Sequence, residues 1–386
     1  MRFNLPQNIS FVLNTLLENG YSAYIVGGCV RDLLCGKQPH DYDITTSALP
    51  CEIQNLFKKT VATGIKHGTV TVIIDSTPIE VTTFRTENTY SDNRHPESVN
   101  FVKDIKEDLS RRDFTVNAMC YNNQEGLIDI FDGVNDIKNR TLRAVGNAET
   151  RFSEDALRVL RLFRFAATLQ FDIEKNTFDA ALKCAPLLKN ISAERIFTEL
   201  KKSALGNNVS VLSSLLQTNT LSDYALNNHD LSKLKDLKCE ENLRVFALLY
   251  LTSTDLQKTL DTLKCSNYFK DYCFKMEYLI TNGIKEDKIS LKKALNYADY
   301  DIVCDYLEYL QSILNTDSSN HKTLLNEIIT ANEPYKISHL QITGSDINAL
   351  GFSGKDVGDK LNFLLNKVIE KPDTNTREKL LNLICN

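Results

Sequence analysis

The sequence is short of the features that would assign it to a membrane, a zinc scaffold or a disulfide framework. Its first residues, MRFNLPQNISFVLNTLLENG, hold no apolar run of spanning length and no small-residue cleavage site, so neither a transmembrane segment nor a signal peptide is expected. Ten cysteines are present, yet none forms a C-x-x-C pair and no Cys/His cluster has zinc spacing. They read as buried thiols in a reducing compartment, and the expected setting is the cytoplasm. A basic excess is also missing. Against 45 Lys and Arg stand 50 Asp and Glu, a formal charge of -5, so any surface for nucleic acid has to be local. No internal repeat or low-complexity tract occurs. What remains is an ordinary globular composition of 386 residues, 42% apolar and 25% charged, enough for more than one core.

Two regimes divide the chain. Up to about residue 140, short β-branched runs (YSAYIV, YDITTS, GTVTVII, IEVTTF) alternate with helical pieces such as ISFVLNTLLENG, which stops at Gly20, and VRDLLCG, which stops at Gly36. A polar stretch from Thr86 to Val99, containing Arg94, His95 and Pro96, reads as a loop. After Phe152 the pattern is helical. SEDALRVLRLFRFAATLQF predicts one helix with Ser153 as N-cap, and leucine-rich segments such as NLRVFALLYL and GDKLNFLLNKVIE follow with almost no strand signal.

Three constellations carry chemistry. In IVGGCVRDLLCGKQPHDYDI, Gly27 and Gly28 fall between a strand and a helix, where a bare backbone approaches a phosphate closely and Arg31 adds a guanidinium. A tight strand-to-helix turn is the structural alternative. Asp41 and Asp43 stand at i and i+2, so on a strand both carboxylates share a face. Two such charges side by side call for a cation, and two hard Mg²⁺ ions suit them and an in-line phosphoryl displacement. Glu80, opening the run EVTTF, is a third candidate ligand if its strand neighbours theirs. In RRDFTVNAM, Arg111 and Arg112 suit phosphate and Asp113 suits a ribose hydroxyl, ahead of a segment that reads as helical.

With the stretches EVTTFRTENTYSDNRHPESVNFVKDIKEDLSRRDFTVNAM, DGVNDIKNRTLRAVGN and RFSEDALRVLRLFRFAA, which follow in order, the chain resembles the class II tRNA nucleotidyltransferases, or CCA-adding enzymes, and the related bacterial poly(A) polymerases over roughly residues 22–200. The resemblance implies an α+β head of polymerase-β type with a small mixed sheet (1–140), then an all-α neck that recognises the base (141–203), a body (204–270) and a tail that binds tRNA (271–386). It implies template-independent addition of C, C and A to tRNA 3′ ends from CTP and ATP, with Mg²⁺; no membrane or protein partner is called for. Asp41, Asp43 and Glu80 are then the catalytic acids. Gly27, Gly28, Arg31, Arg111, Arg112, Asp113, Asp155, Arg158, Arg161 and Arg164 hold the nucleotide.

The implied role of Asp155 and Arg158 has a physical sense. On one helix they share a face, and cytosine and adenine both present an amino donor beside a ring-nitrogen acceptor. A carboxylate and a guanidinium match that edge, whereas guanine and uracil would leave both groups facing their own kind, at about 1–3 kcal/mol each. Glu154 and Arg111 support the pair by resemblance. An i,i+3 and i,i+4 ion-pair cluster is the structural alternative. The span holding Lys138, Arg140, Arg143, Arg151, Arg158, Arg161 and Arg164 reads as a basic track for RNA phosphates. Glu194 and Arg195 read as structural, and His229 with Asp230 as a surface pair. Enzymes adding only CC or only A, a poly(A) polymerase, and an RNA-binding protein with an inactive head remain alternatives; the full length of the 86–99 stretch favours complete CCA synthesis.

Overall fold

The computed structural model describes residues 2–87, 99–238 and 241–385, and the chain forms two compact units, 1–232 with 251–264, and 233–250 with 265–386. The first unit opens with helix α1 (Gln7–Glu18) and a seven-stranded mixed sheet. Its strands are β1 (Ala23–Val26), β2 (Asp43–Thr46), β3 (Thr60–Gly64), β4 (Thr69–Ile74), β5 (Thr77–Thr83), β8 (Met119–Asn122) and β9 (Gly126–Asp129), in the order β3-β4-β5-β2-β1-β8-β9. All neighbours are antiparallel except β2 and β5, whose parallel register pairs Ile44 with Val81. A separate two-stranded ladder, β6 (Arg85–Glu87) with β7 (Val99–Phe101), flanks the residues at which the 86–99 loop was expected; residues 88–98 themselves lie outside the described residues.

Strand β1 reads AYIV without alternation because both its faces are covered. Ala23 and Ile25 join the core beneath α1, with Ile9, Val12, Leu13 and Leu16, while Tyr24 and Val26 pack with Phe84, Leu109 and Cys120 on the opposite face. Short helices α2 (Gly28–Leu34) and α3 (Pro50–Leu56) complete the first layer, and α4 (Ile105–Ser110) lies by the second. The helical reading of RRDFTVNAM is corrected: Thr115–Asn117 is a single 3₁₀ turn, and Met119–Asn122 becomes β8, wedged between β1 and β9. Ladder hydrogen bonds on both sides outweigh the weak local preference.

Beyond α5 (Gly133–Lys138) come α6 (Ala148–Glu154), α7 (Leu157–Leu169), α8 (Lys175–Cys184), α9 (Ala193–Ala204) and α10 (Leu212–Leu216), with one small parallel pair, β10 (Thr141–Leu142) and β11 (Asp172–Ile173). The single helix expected from Ser153 onward is two. Asp155 takes an extended conformation between α6 and α7, its Oδ1 accepting from the Leu157 N–H at 3.1 Å, while Ser153 sits inside α6. The N-cap position of α7 falls at Ala156, and Asp155, just before it, is also the C-cap of α6.

Helix α11 (Glu241–Thr252) runs from the second unit into the first, where α12 (Leu256–Thr262) follows it. The second unit continues with α13 (Asn267–Asn282), α14 (Lys288–Ser312), α15 (Ser319–Thr330), α16 (Gly344–Ala349), α17 (Lys355–Glu370) and α18 (Arg377–Cys385). Helix α14 breaks at Asp299, which has φ 63°. A core of Ile347, Leu364, Leu365, Val368, Ile369 and Leu380 joins the last three helices. Among the described residues no helix is long and apolar enough to cross a membrane.

Candidate active site

The turn between β1 and α2 is built for glycine. Gly27 has φ 82°, and a Cβ there would meet Arg112 Nη1 at 3.1 Å. The Gly27 N–H donates to the Met119 carbonyl at 3.2 Å, fixing the turn to β8. Arg31 is buried beneath it. Its Nη1 donates to Asn117 Oδ1 at 2.6 Å, and its Nε and Nη2 both donate to Asp32 Oδ1 at 2.9 and 2.8 Å.

Asp43 opens β2, paired with Val26, and Asp41 lies just before the strand. Both are exposed and line one cavity of about 660 Å³ together with Glu80. The β2–β5 register brings Glu80 beside the start of β2, so its strand is the neighbour that the sequence required. Desolvation raises the Asp43 carboxyl; Arg112 opposes the rise and Asp41 adds to it. Among the described residues no three His, Cys, Asp or Glu side chains converge tightly enough to hold a metal unaided. That fits Mg²⁺, which takes one or two carboxylates and completes its shell with water and substrate phosphates.

Arg112, just past the end of α4, lies against the Gly27 turn. Its Nη2 donates to Asp108 Oδ2 at 3.2 Å, and its Nε is buried with no hydrogen-bond partner among the described residues. Asp113, the candidate for a ribose hydroxyl, has both carboxylate oxygens engaged by protein donors. It is buried, its Oδ2 accepts from Arg161 Nε and Nη2 at 2.9 and 2.6 Å, and its Oδ1 accepts from the Phe114 N–H at 2.9 Å and Asn117 Nδ2 at 3.2 Å. Burial alone would raise its ionisation, but Arg161 and Asn117 outweigh it and hold Asp113 at about 2.

Asp155 and Arg158 are brought near each other by backbone, the Arg158 N–H donating to the Asp155 carbonyl at 2.9 Å, but their side chains have separate partners. Asp155 Oδ2 accepts from Arg195 at 3.2 Å. Arg158 donates to Glu154 at 2.8 Å and to the carbonyls of Arg151 and Arg111, both at 3.1 Å. Five of the six arginines in the basic span have acidic partners. Arg143 pairs with Asp136, Arg151 and Arg158 with Glu154, Arg161 with Asp113, and Arg164 with Glu199. Of these acids only Glu154 belongs to the span itself; Asp113, Asp136 and Glu199 lie outside it. On α7 the Phe165 ring lies under three guanidiniums, at 5.4 Å from Arg31, 5.4 Å from Arg161 and 4.0 Å from Arg164. His229 and Asp230 are exposed, as expected.

Sequence reasoning passed over Asp108, Asn117, Phe165 and the partnership of Arg195 with Asp155. Asp108 alone left a usable signal, since it precedes Arg111 and Arg112 by three and four residues on a helix.

Comparison with known proteins identifies relatives of the chain. Residues 23–143 match the family described as "Poly A polymerase head domain", and residues 170–230 match "Probable RNA and SrmB- binding site of polymerase A". The CCA-adding enzyme of Lactococcus lactis subsp. cremoris is 44% identical over 273 residues, 68% of each chain. That of Ligilactobacillus salivarius is 42% identical over 292 residues, 73% of this chain and 72% of its own. A crystal structure of the Bacillus stearothermophilus CCA-adding enzyme in complex with CTP superposes with a TM-score of 0.80 at 29% identity, over 96% of this chain and 94% of that one. The chain belongs to the family of CCA-adding enzymes, nucleotidyltransferases with a poly(A)-polymerase-type head.

Proposed function

We propose that this chain adds C, C and A to the 3′ ends of tRNA from CTP and ATP without a nucleic-acid template. The observation that carries the reading is the register of β1 and β2, which pairs Asp43 with Val26 directly before the Gly27 turn against which Arg112 lies, with Asp41 and Asp43 lining one cavity. In the reaction the tRNA 3′-oxygen bonds to the α-phosphorus, the bond from that phosphorus to the bridging oxygen of the leaving pyrophosphate breaks, and the 3′-hydroxyl proton is released. Asp41 and Asp43 are assigned as the ligands of two Mg²⁺ ions, with Glu80 as a further ligand. Such ions stabilise charge on the entering and leaving oxygens. Gly27, Gly28, Arg31, Arg111 and Arg112 face the triphosphate; Asp113 orients Arg161 rather than serving as a free acceptor. Asp155 and Arg158, supported by Glu154 and Arg195, are assigned to the base, with Arg164 behind them. Residues 1–140 form the head, 141–203 the neck, 204–270 the body and 271–386 the tail that holds tRNA, in a cytoplasmic enzyme.

The test is incubation of the purified protein and Mg²⁺ with tRNA lacking CCA, with products resolved at single-nucleotide length. Growth by two residues with CTP, and by three with CTP and ATP, is expected; Asp41→Asn and Asp43→Asn each lower the rate by about a thousandfold or more. Long A tails would replace the reading with a poly(A) polymerase, C addition alone with a CC-adding enzyme, and no addition with an RNA-binding protein.

A further inference from the structure

Asp108 has no exposed surface, and its two carboxylate oxygens serve different parts of the head. Oδ1 accepts from Arg111 Nε and Nη2 at 3.0 and 2.8 Å, and from the backbone N–H of Arg85 at 3.3 Å. Oδ2 accepts from Arg112 Nη2 at 3.2 Å and lies 3.4 Å from Thr45 Oγ1, whose single hydroxyl proton it shares with the Thr82 carbonyl at 3.2 Å. Thr45 is two residues along β2 from Asp43, and Arg85 opens β6. One buried carboxylate therefore ties the arginine pair to the strand that carries the candidate metal ligand and to the root of the β6–β7 ladder.

The arrangement is stricter than a surface ion pair. Four N–H donors meet a carboxylate that offers about four lone-pair sites, and a guanidinium can only donate. An amide at this position would turn an N–H toward one of the arginines. Arg112 depends on the contact most, because Asp108 is its only side-chain hydrogen-bond partner among the described residues. Its Nη1 lies against the Gly27 turn, which follows Val26, the strand partner of Asp43, so a swing of the guanidinium would move it away from that turn.

We propose that Asp108 is a positioning residue for nucleotide binding, acting through Arg112 to hold a guanidinium toward the triphosphate beside Gly27 and Asp43. The proposal rests on the reading of the site given above, and its test needs no turnover. CTP binding with Mg²⁺ is titrated by calorimetry for the full chain and for Asp108→Asn, Arg112→Ala and the two combined. Asp108→Asn is expected to weaken CTP about tenfold, and to add less than about twofold once Arg112 is already alanine. A purely structural role predicts the opposite: the two losses multiply, and that result, or unchanged affinity in Asp108→Asn, overturns the proposal.

Should Asp108→Asn not fold, Arg111→Met is compared with Asp108→Asn/Arg111→Met; the double variant keeps the net charge of the wild type and is one unit more positive than Arg111→Met, a difference that by charge alone would favour CTP. The about tenfold weakening must then appear between these two, since only the second disconnects Arg112; equal affinities overturn the proposal. Wild-type protein that binds CTP but elongates no tRNA would overturn the functional reading and leave this comparison readable. Wild-type protein that binds no CTP would overturn both.

Discussion

Asp113 shows how far a single residue departs from what its neighbours in sequence suggest. Next to two arginines it suited a ribose hydroxyl, and in the structure its oxygens are taken by Arg161, forty-eight residues away, and by Asn117. No local pattern announces a partner at that distance, whereas the i,i+3 and i,i+4 spacing of Asp108 with the arginines was open to view. The consequence is measurable. Moving the Asp113 ionisation from 3.8 to about 2 corresponds to about 2 kcal/mol at neutral pH. Because the folded value is depressed, that contribution is complete above pH 3.8 and is lost as pH falls from there toward 2. Urea unfolding at pH 6 and pH 3 should therefore show Asp113→Asn destabilised at pH 6, with a smaller loss on acidification than the wild type. An equal acid slope in both proteins would assign the sensitivity elsewhere, for instance to Asp108, whose carboxyl Arg112 and Arg111 likewise hold down against the opposing effect of burial.

At the scale of elements, the sequence disclosed periodicity and hid interruptions. The spacing of Leu157, Leu160, Phe163 and Ala167 identified α7, but the break at Asp155 depends on a carboxylate that caps one helix while pairing with Arg195 on another. In the same way β8 was hidden because its strand character comes from being clamped between two ladders. Helix α7 matters for the site through one face, where Phe165 stands beneath Arg31, Arg161 and Arg164 and edge-on to Phe114 at 5.8 Å. A leucine would fill most of the volume and remove the ring that the guanidiniums share. Phe165→Leu is expected to cost about 1–3 kcal/mol of stability and to weaken CTP severalfold. Chemical denaturation and a CTP titration check the two parts. A stability loss with unchanged CTP affinity would reduce Phe165 to a packing residue.

At the scale of the molecule, composition pointed to several cores and chain order to a head followed by helices, but contact does not follow chain order throughout. Residues 251–264 return to the first unit after 233–250 have joined the second. The returning segment is anchored by backbone and side chain. Leu226 bridges to Ser253, the Thr254 N–H donates to the Ala225 carbonyl at 2.9 Å, Thr259 Oγ1 donates to the Tyr224 carbonyl at 2.9 Å, and Lys264 pairs with Glu194 at 2.8 Å. Leu256, Leu260 and Leu263 are buried. At roughly 1.5–3 kcal/mol for each fully buried leucine, this segment is worth several kcal/mol to the first unit, a large share of what holds an ordinary domain together. A fragment ending at residue 264 should therefore fold and bind CTP, while one ending at 232, cut where the contiguous part of the unit stops, should unfold at a lower temperature or aggregate. Thermal unfolding and CTP titration of the two fragments decide the matter. Equal stability would mean that α12 is held by the first unit without supporting it. Loss of CTP binding in both would mean that nucleotide affinity draws on residues beyond 264.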